Sequence, residues 1–235
     1  MISAIKKQIP NLFTLGNLTC GVLAIIFAFD KKLEMAAWLI VLAAILDFFD
    51  GFLARLLGVS GDMGKQLDSL ADCVTFGVAP SLLIYQYALL SHNIESNIFI
   101  YSFILLAIFS AYRLAKFNID TRQSESFIGV PTPITGIMVA SWAFIQNSCP
   151  NIFEFFFGNI IGYILFCITI SLLLVSEIPL VSLKFKKGKQ LKDFTVQLII
   201  GAIGLFSIIA FQWLAVPIIY VVYVLSSVFV NFAKK

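Results

Sequence analysis

Four aspartates, Asp47, Asp50, Asp68 and Asp72, stand at regular intervals in the otherwise apolar stretch DFFDGFLARLLGVSGDMGKQLDSLAD, residues 47–72. Asp47 and Asp50 are three apart, and Gly51, Ala54 and Arg55 follow at offsets of four, seven and eight from Asp47, so a helix puts all five on one stripe. Gly64, Asp68 and Asp72, at i, i+4 and i+8, make a second stripe on the next helix. The connection holds Gly58, Ser60, Gly61 and a fifth acid, Asp62, a turn composition that lets the two helices lie side by side. Two carboxylate pairs then face each other across one cleft. Within a membrane helix a carboxylate costs about 2.5–3.5 kcal/mol, so four cost roughly 10 kcal/mol, and carboxylates on facing stripes also repel. Two hard divalent cations resolve both problems. All-oxygen ligation suits two Mg²⁺ or Mn²⁺ ions, whereas zinc favours the His and Cys that the stretch lacks, the neighbouring Cys73 aside. Gly51, Ala54, Gly64 and Ala71 are small enough to leave room for a bulky anion, and Arg55 can hold a phosphate oxygen. The plainer alternative makes the acids helix caps or inter-helix hydrogen bonds and Arg55 a snorkelling anchor; it serves each residue singly better than it serves the set.

The elements that position these groups are membrane helices. Of 235 residues, 60% are hydrophobic and 12% charged, and the mean hydropathy is +0.97, more apolar surface than a soluble domain of this size can hide. The expected fold is all-α, a polytopic bundle of about eight transmembrane helices. The apolar runs centre on Leu12–Phe29, Met35–Leu57, Leu70–Leu90, Ile98–Phe117, Thr132–Ile145, Phe155–Ser176, Val196–Phe211 and Ala215–Phe232. Asn17 and Thr19 interrupt the first run and no small-x-small site follows it, so it reads as a retained helix, with Pro10 in its first turn.

Loop charges give the sidedness. Lys6, Lys7, Arg55, Lys65, Arg113, Lys116, Arg122, the run Lys184 to Lys192, and Lys234 and Lys235 fall on one side. Asp30 to Glu34, with balanced charge, His92 to Glu95, Asn147 to Glu154 and the Gln212–Trp213 turn fall on the other. By the positive-inside rule both termini and the acid cluster face the cytoplasm, in an integral protein of the cytoplasmic membrane. The net charge of +3 is therefore a topology signal, and no nucleic-acid partner is expected. The Lys184 to Lys192 run reads as a solvated loop enforcing topology, or as a contact for anionic headgroups. Cys20, Cys73, Cys149 and Cys167 are scattered and read as reduced, packed thiols.

Asn11, Thr14 and Asn17, at i, i+3 and i+6, form a polar stripe at the start of the first helix, readable either as inter-helix hydrogen bonding or as a wall of a nucleotide pocket. Further on, Arg113-Leu-Ala-Lys116-Phe-Asn118 ends the fourth helix, and Phe127-Ile-Gly129-Val-Pro131-Thr-Pro133 enters the fifth. Taken singly, Arg113 and Lys116 are positive-inside anchors and the Gly-Pro pattern is a turn.

Asp47-x-x-Asp50-Gly51-x-x-Ala54-Arg55, eight residues, Gly64-x-x-x-Asp68-x-x-x-Asp72 resembles, without departure in identity or spacing, the signature of the CDP-alcohol phosphatidyltransferases. The segments around Asn11 to Asn17 and Arg113 to Pro133 resemble the bacterial and archaeal phosphatidylserine synthase branch, so the likeness runs from about Ile9 to Pro133. It implies an integral membrane enzyme whose two divalent metals, on Asp47, Asp50, Asp68 and Asp72, serve transfer of the phosphatidyl group of CDP-diacylglycerol to L-serine with release of CMP. It further implies Gly51, Ala54, Arg55, Gly64, Asn11, Thr14 and Asn17 for CDP-diacylglycerol, and Arg113 and Asn118 for the acceptor, with the lipid phosphate left open as the alternative ligand of Arg113. Transfer to a hydroxyl needs a base, and the sole histidine, His92, is expected on the far side, so a carboxylate must serve. The resemblance assigns that role to the last acid, Asp72.

The chain is expected to be one membrane domain, residues 1–235, with a motif-bearing core at 9–133 and further helices at 134–235. Glycerol 3-phosphate or inositol phosphate stays open as acceptor, and a divalent-cation transporter stays open as another class. The bilayer is one partner; a homodimer is compatible with the sequence, which does not fix the oligomeric state.

Overall fold

The computed structural model describes residues 2–59, 61–90, 98–120, 128–180 and 195–232, with backbone alone for 2–7, 195–200, 202, 203 and 232. Readings made for Ser60, His92 to Glu95, Arg122, Phe127, Lys184 to Lys192, Lys234 and Lys235 fall outside these residues, as do those for the side chains of Lys6 and Lys7.

The helices in chain order are α1 (Ile2–Phe29), α2 (Leu33–Leu57), α3 (Asp62–Asp72), a π-helical turn (Cys73–Val78), α4 (Ala79–Leu90), a 3₁₀ turn (Ile98–Phe103) leading into α5 (Ile104–Ile119), α6 (Thr132–Ser148), α7 (Pro150–Phe157), α8 (Ile160–Val175), α9 (Thr195–Phe211), a 3₁₀ turn (Gln212–Leu214) and α10 (Ala215–Phe232). The protein is an all-α polytopic bundle, and each of the eight expected runs is helical. Among the described residues, five helical stretches are long and apolar enough to cross a bilayer by length and composition: Gln8–Phe29, Leu33–Leu57, Asp62–Leu90, Ile98–Ile119 and Gly204–Asn231. The pair α7 and α8, bent by 82°, makes a sixth. The expected span Phe155–Ser176 is thus broken, because Asn159 caps α8 through its side-chain oxygen, which accepts from the Ile161 amide at 2.9 Å. The stretch Gly204–Asn231 contains the Gln212–Leu214 turn. A Cβ added at Gly204 would stand 3.6 Å from Ile219, so α9 and α10 fold back on each other as a hairpin.

α1 starts at Ile2, so Pro10 lies inside the helix rather than in its first turn. Proline gives up one intrahelical bond but keeps a helical φ, and the helix runs on through it. α2 stops at Gly58, whose left-handed φ of 63° lets the Val59 amide return to the Ala54 carbonyl at 3.0 Å. The buried faces of α1 and α2 carry Ala24, Ala28, Ala36, Ala37 and Ala43, which let backbones approach where lipid leaves packing to van der Waals contact.

The π-helical turn directly after Asp72 sits where three helices meet. The Thr75 hydroxyl donates to the Asn17 carbonyl of α1 at 3.1 Å, and Phe76 lies against Gly136 of α6. On the α5 side, a Cβ at Gly77 would come within 2.8 Å of Ser110 Cβ, so only glycine allows this approach. Buried tyrosine hydroxyls find carbonyls, Tyr87 on Val139 at 3.1 Å and Tyr163 on Ile100 at 2.6 Å.

The two ends of the bundle differ. At one, the Asn147 amide donates to Glu34 at 2.7 Å, and Trp213 stacks on Phe144 at 4.0 Å with Trp38 edge-on at 5.3 Å. This gathers the α1–α2 turn, the end of α6 and the α9–α10 turn, as the loop charges require. The acids, the start of α1 and the end of α10 lie at the other.

Candidate functional site

The acid end encloses a cavity of about 850 Å³. α2 lines it with Asp47, Asp50, Gly51, Ala54 and Arg55, and α3 with Asp62, Gly64, Lys65, Asp68 and Asp72. α1 adds Pro10, Asn11 and Thr14, while Arg113, Leu114 and Phe117 of α5, with Pro131 and Pro133 before and in α6, complete the wall.

The two helical stripes meet as their spacing requires. One carboxyl oxygen each from Asp47, Asp50 and Asp68 lies within 4.8 Å of the other two, and the Asp47 and Asp68 carboxyls are in hydrogen-bonding reach. Carboxyl groups this close need a proton or a cation between them. The donor set is oxygen only, which fits a hard divalent cation. Asp72 stands apart from this group of three but lines the same cavity.

Each deep acid is held by α1. The Thr14 hydroxyl donates to Asp50 Oδ2 at 2.7 Å, shorter than its 3.2 Å approach to the Pro10 carbonyl. The Asn17 amide donates to Asp72 Oδ1 at 3.1 Å, and Asn17, at 0% exposure, does not line the cavity. The polar stripe of α1 therefore divides. Asn11 faces the cavity, its Oδ1 3.6 Å from where a Gly64 Cβ would stand, whereas Thr14 and Asn17 brace acids. Arg55 folds back along its own helix, with Nη1 3.5 Å from a notional Gly51 Cβ.

Arg113 is 6% exposed, yet it reaches the cavity. Its Nη1 donates to the Thr132 hydroxyl at 3.0 Å, its guanidinium lies 5.8 Å from the centre of the Phe117 ring, and its Nε is buried without a protein partner. Asn118 does not line the cavity itself: its amide donates to Ser69 at 2.8 Å while its carbonyl accepts from Lys65 at 2.7 Å, so it braces α3 against α5 from behind two residues that do line it.

The sequence reading did not single out Thr132 or Lys65 as site residues. Thr132 belongs to the Pro-Thr-Pro turn, and only the fold puts its hydroxyl under Arg113. Lys65 read as a topology charge; its place one residue after Gly64 was the available signal.

Comparison with known proteins gives a consistent set. Residues 7–175 match the CDP-alcohol phosphatidyltransferase family. A Helicobacter pylori protein named CDP-diacylglycerol–serine O-phosphatidyltransferase is 40% identical over 194 residues, 81% of this chain and 78% of that protein. One of the same name from Bacillus subtilis is 41% identical over 141 residues, 60% of this chain and 78% of its own. A third, from Methanocaldococcus jannaschii, is 32% identical over 197 residues, 84% of each chain.

Proposed function

The chain belongs to the CDP-alcohol phosphatidyltransferase family, and on that premise we propose that it transfers the phosphatidyl group of CDP-diacylglycerol to the hydroxyl of L-serine, forming phosphatidylserine and CMP. The observation that carries this reading is one cavity with an acid cluster on α2 and α3 and a buried, incompletely paired arginine on α5. The names of the relatives support serine as acceptor.

Asp47, Asp50 and Asp68 would be the principal ligands for two divalent cations, Mg²⁺ or Mn²⁺, with Asp72 as a further ligand. Such ions neutralise the diphosphate and stabilise departing CMP. Asn11 and Gly64 frame the nucleotide, the small Gly51 and Ala54 admit the diphosphate, and Arg55 holds a phosphate oxygen. Arg113 takes the serine carboxylate, its planar donors suiting a carboxylate better than a lysine would. The serine oxygen attacks the phosphorus that bears diacylglycerol. The bond from that phosphorus to the bridging oxygen breaks, and the oxygen leaves with CMP. The serine proton passes to Asp72, whose Oδ1 accepts from the Asn17 amide. Thr14 and Asn17 act as positioning residues for Asp50 and Asp72, and Asn118 as a brace of the acceptor side.

Both termini and the cavity face the cytoplasm, which supplies nucleotide, serine and Mg²⁺. The transporter alternative needs a polar route onward from the acids. Along α2 the interior continues instead as Ala43, Ile40, Ala37 and Ala36, each at 0% exposure.

An acceptor panel tests the proposal. Purified protein with CDP-diacylglycerol is offered serine, glycerol 3-phosphate or inositol phosphate, and the lipid product is identified by mass. Phosphatidylserine from serine alone is expected; an equal or better yield from another acceptor overturns the assignment.

A further inference from the structure

The C-terminal helix α10 lies beyond the residues that match the family, 7–175, and its sequence reads only as apolar membrane helix. Three of its side chains nevertheless hold the segments that form the acceptor side of the cavity. Tyr220, 5% exposed, has its hydroxyl 3.3 Å from Thr135 Oγ1, and Thr135 in turn donates to the Pro131 carbonyl. Either hydroxyl can donate in this pair. Pro131 lines the cavity, and its neighbour Thr132 receives Arg113 Nη1.

The second connection runs through the strap Ser176–Leu180 that follows α8. The Gly129 amide donates to the Ile178 carbonyl at 3.0 Å, and Ile128 bridges Pro179, so the strap is stitched to the loop that carries Pro131. The Asn231 amide of α10 donates to the Pro179 carbonyl from the other face, and Tyr223 packs on Leu180. On the α5 side, Lys116 pairs with Glu177 of the strap at 2.9 Å, one turn after Arg113. α10 therefore reaches the Gly129–Thr132 segment by two routes, one through Thr135 and one through the strap.

We propose that α10 is a positioning element of the acceptor site: Tyr220 and Asn231 fix the Pro131–Thr132 segment and, through Thr132, the direction in which Arg113 presents its free donors. This rests on Arg113 being the serine-carboxylate ligand. The acids and the nucleotide wall belong to α1, α2 and α3, so loosening α10 acts on serine and spares the nucleotide lipid.

The test uses the full-length purified protein and three readouts on the same preparations: KM for serine, kcat, and CDP-diacylglycerol affinity. Tyr220→Phe keeps the ring and removes the hydroxyl; Asn231→Leu keeps the volume and removes the donor. Each is expected to raise the serine KM about five-fold, the scale of one neutral hydrogen bond. The double variant should raise it further, with kcat and lipid affinity held within about two-fold of the parent, the scatter expected of a surface change. Arg113→Lys is the reference. If it leaves the serine KM unchanged, the acceptor reading fails and this inference falls with it. If Arg113→Lys raises the serine KM while the α10 variants do not, only the inference is overturned. A parallel loss of serine KM, kcat and lipid affinity in Tyr220→Phe also overturns it, since that is the mark of general damage to the fold.

Discussion

Asp50 and Asp72 are held by different side chains of α1, Thr14 and Asn17, so the roles proposed for the two acids can be tested separately. Asp50 belongs to the group of three whose oxygens converge, whereas Asp72 stands beside it with one oxygen engaged by an amide. Asp72→Asn is expected to lower turnover by at least about 10²-fold, the lower range for a general base, while CDP-diacylglycerol binding survives better than in Asp50→Asn. Binding and single-turnover rates measured together distinguish the roles; equal loss of lipid binding in both variants makes Asp72 chiefly a metal ligand. Thr14→Val removes the donor on Asp50 without changing the side chain's shape. Loss of such an outer partner lowers metal affinity by about 10–100-fold. Titration of Mn²⁺ by electron paramagnetic resonance reads this directly, and an unchanged affinity contradicts the bracing role. The four acids, Arg55 and the small residues beside them were legible in the sequence, because helical spacing alone puts them on two stripes. Asn17 was legible as polar but not as a brace. Its place beneath Asp72 depends on how α1 crosses the π-helical turn, which no local pattern encodes.

Directly after Asp72 comes that turn, Cys73–Val78. A π-helical turn inserts a residue into the helical ladder and re-aims what precedes it, a distortion frequent at functional sites. Here it is clasped by α1, α5 and α6, with Gly77 set close against Ser110 of α5. Gly77→Ala is expected to cost about 1–3 kcal/mol by overpacking. Thermal unfolding in detergent should show it, and Ser110→Gly in the same chain should restore most of the loss. A Gly77→Ala protein as stable as the parent shows that α5 yields at this point. The eight helical runs could be read from apolarity, but neither the π-helical turn nor the 82° bend between α7 and α8 could. Both lie inside largely apolar sequence, where side chains facing the core and those facing outward are alike apolar and leave little periodicity to break. The bend had a local signal in Gly158-Asn159, a stop followed by a cap.

At the scale of the whole molecule, the bundle separates a polar, cavity-bearing end from an aromatic one. The start of α1 and the end of α10 lie at the cavity end, in keeping with the alternation of loop charges. Reporters fused to the two termini should both register the cytoplasm; one external terminus means that a span has been miscounted. The helices toward the C-terminus carry no motif, yet α10 contacts Thr135 and Pro179 beside the segment that brings Pro131 to the cavity, a placement that no sequence pattern gives. The central claim is that this cavity runs metal-dependent transfer of a phosphatidyl group to serine. Its most direct test is CMP release by the purified protein, stripped with EDTA and given CDP-diacylglycerol and serine, before and after Mg²⁺ or Mn²⁺ is restored. The account predicts no release from the stripped protein and recovery with either ion, in step with phosphatidylserine formation. Full CMP release in excess EDTA, or release that does not require serine, contradicts it.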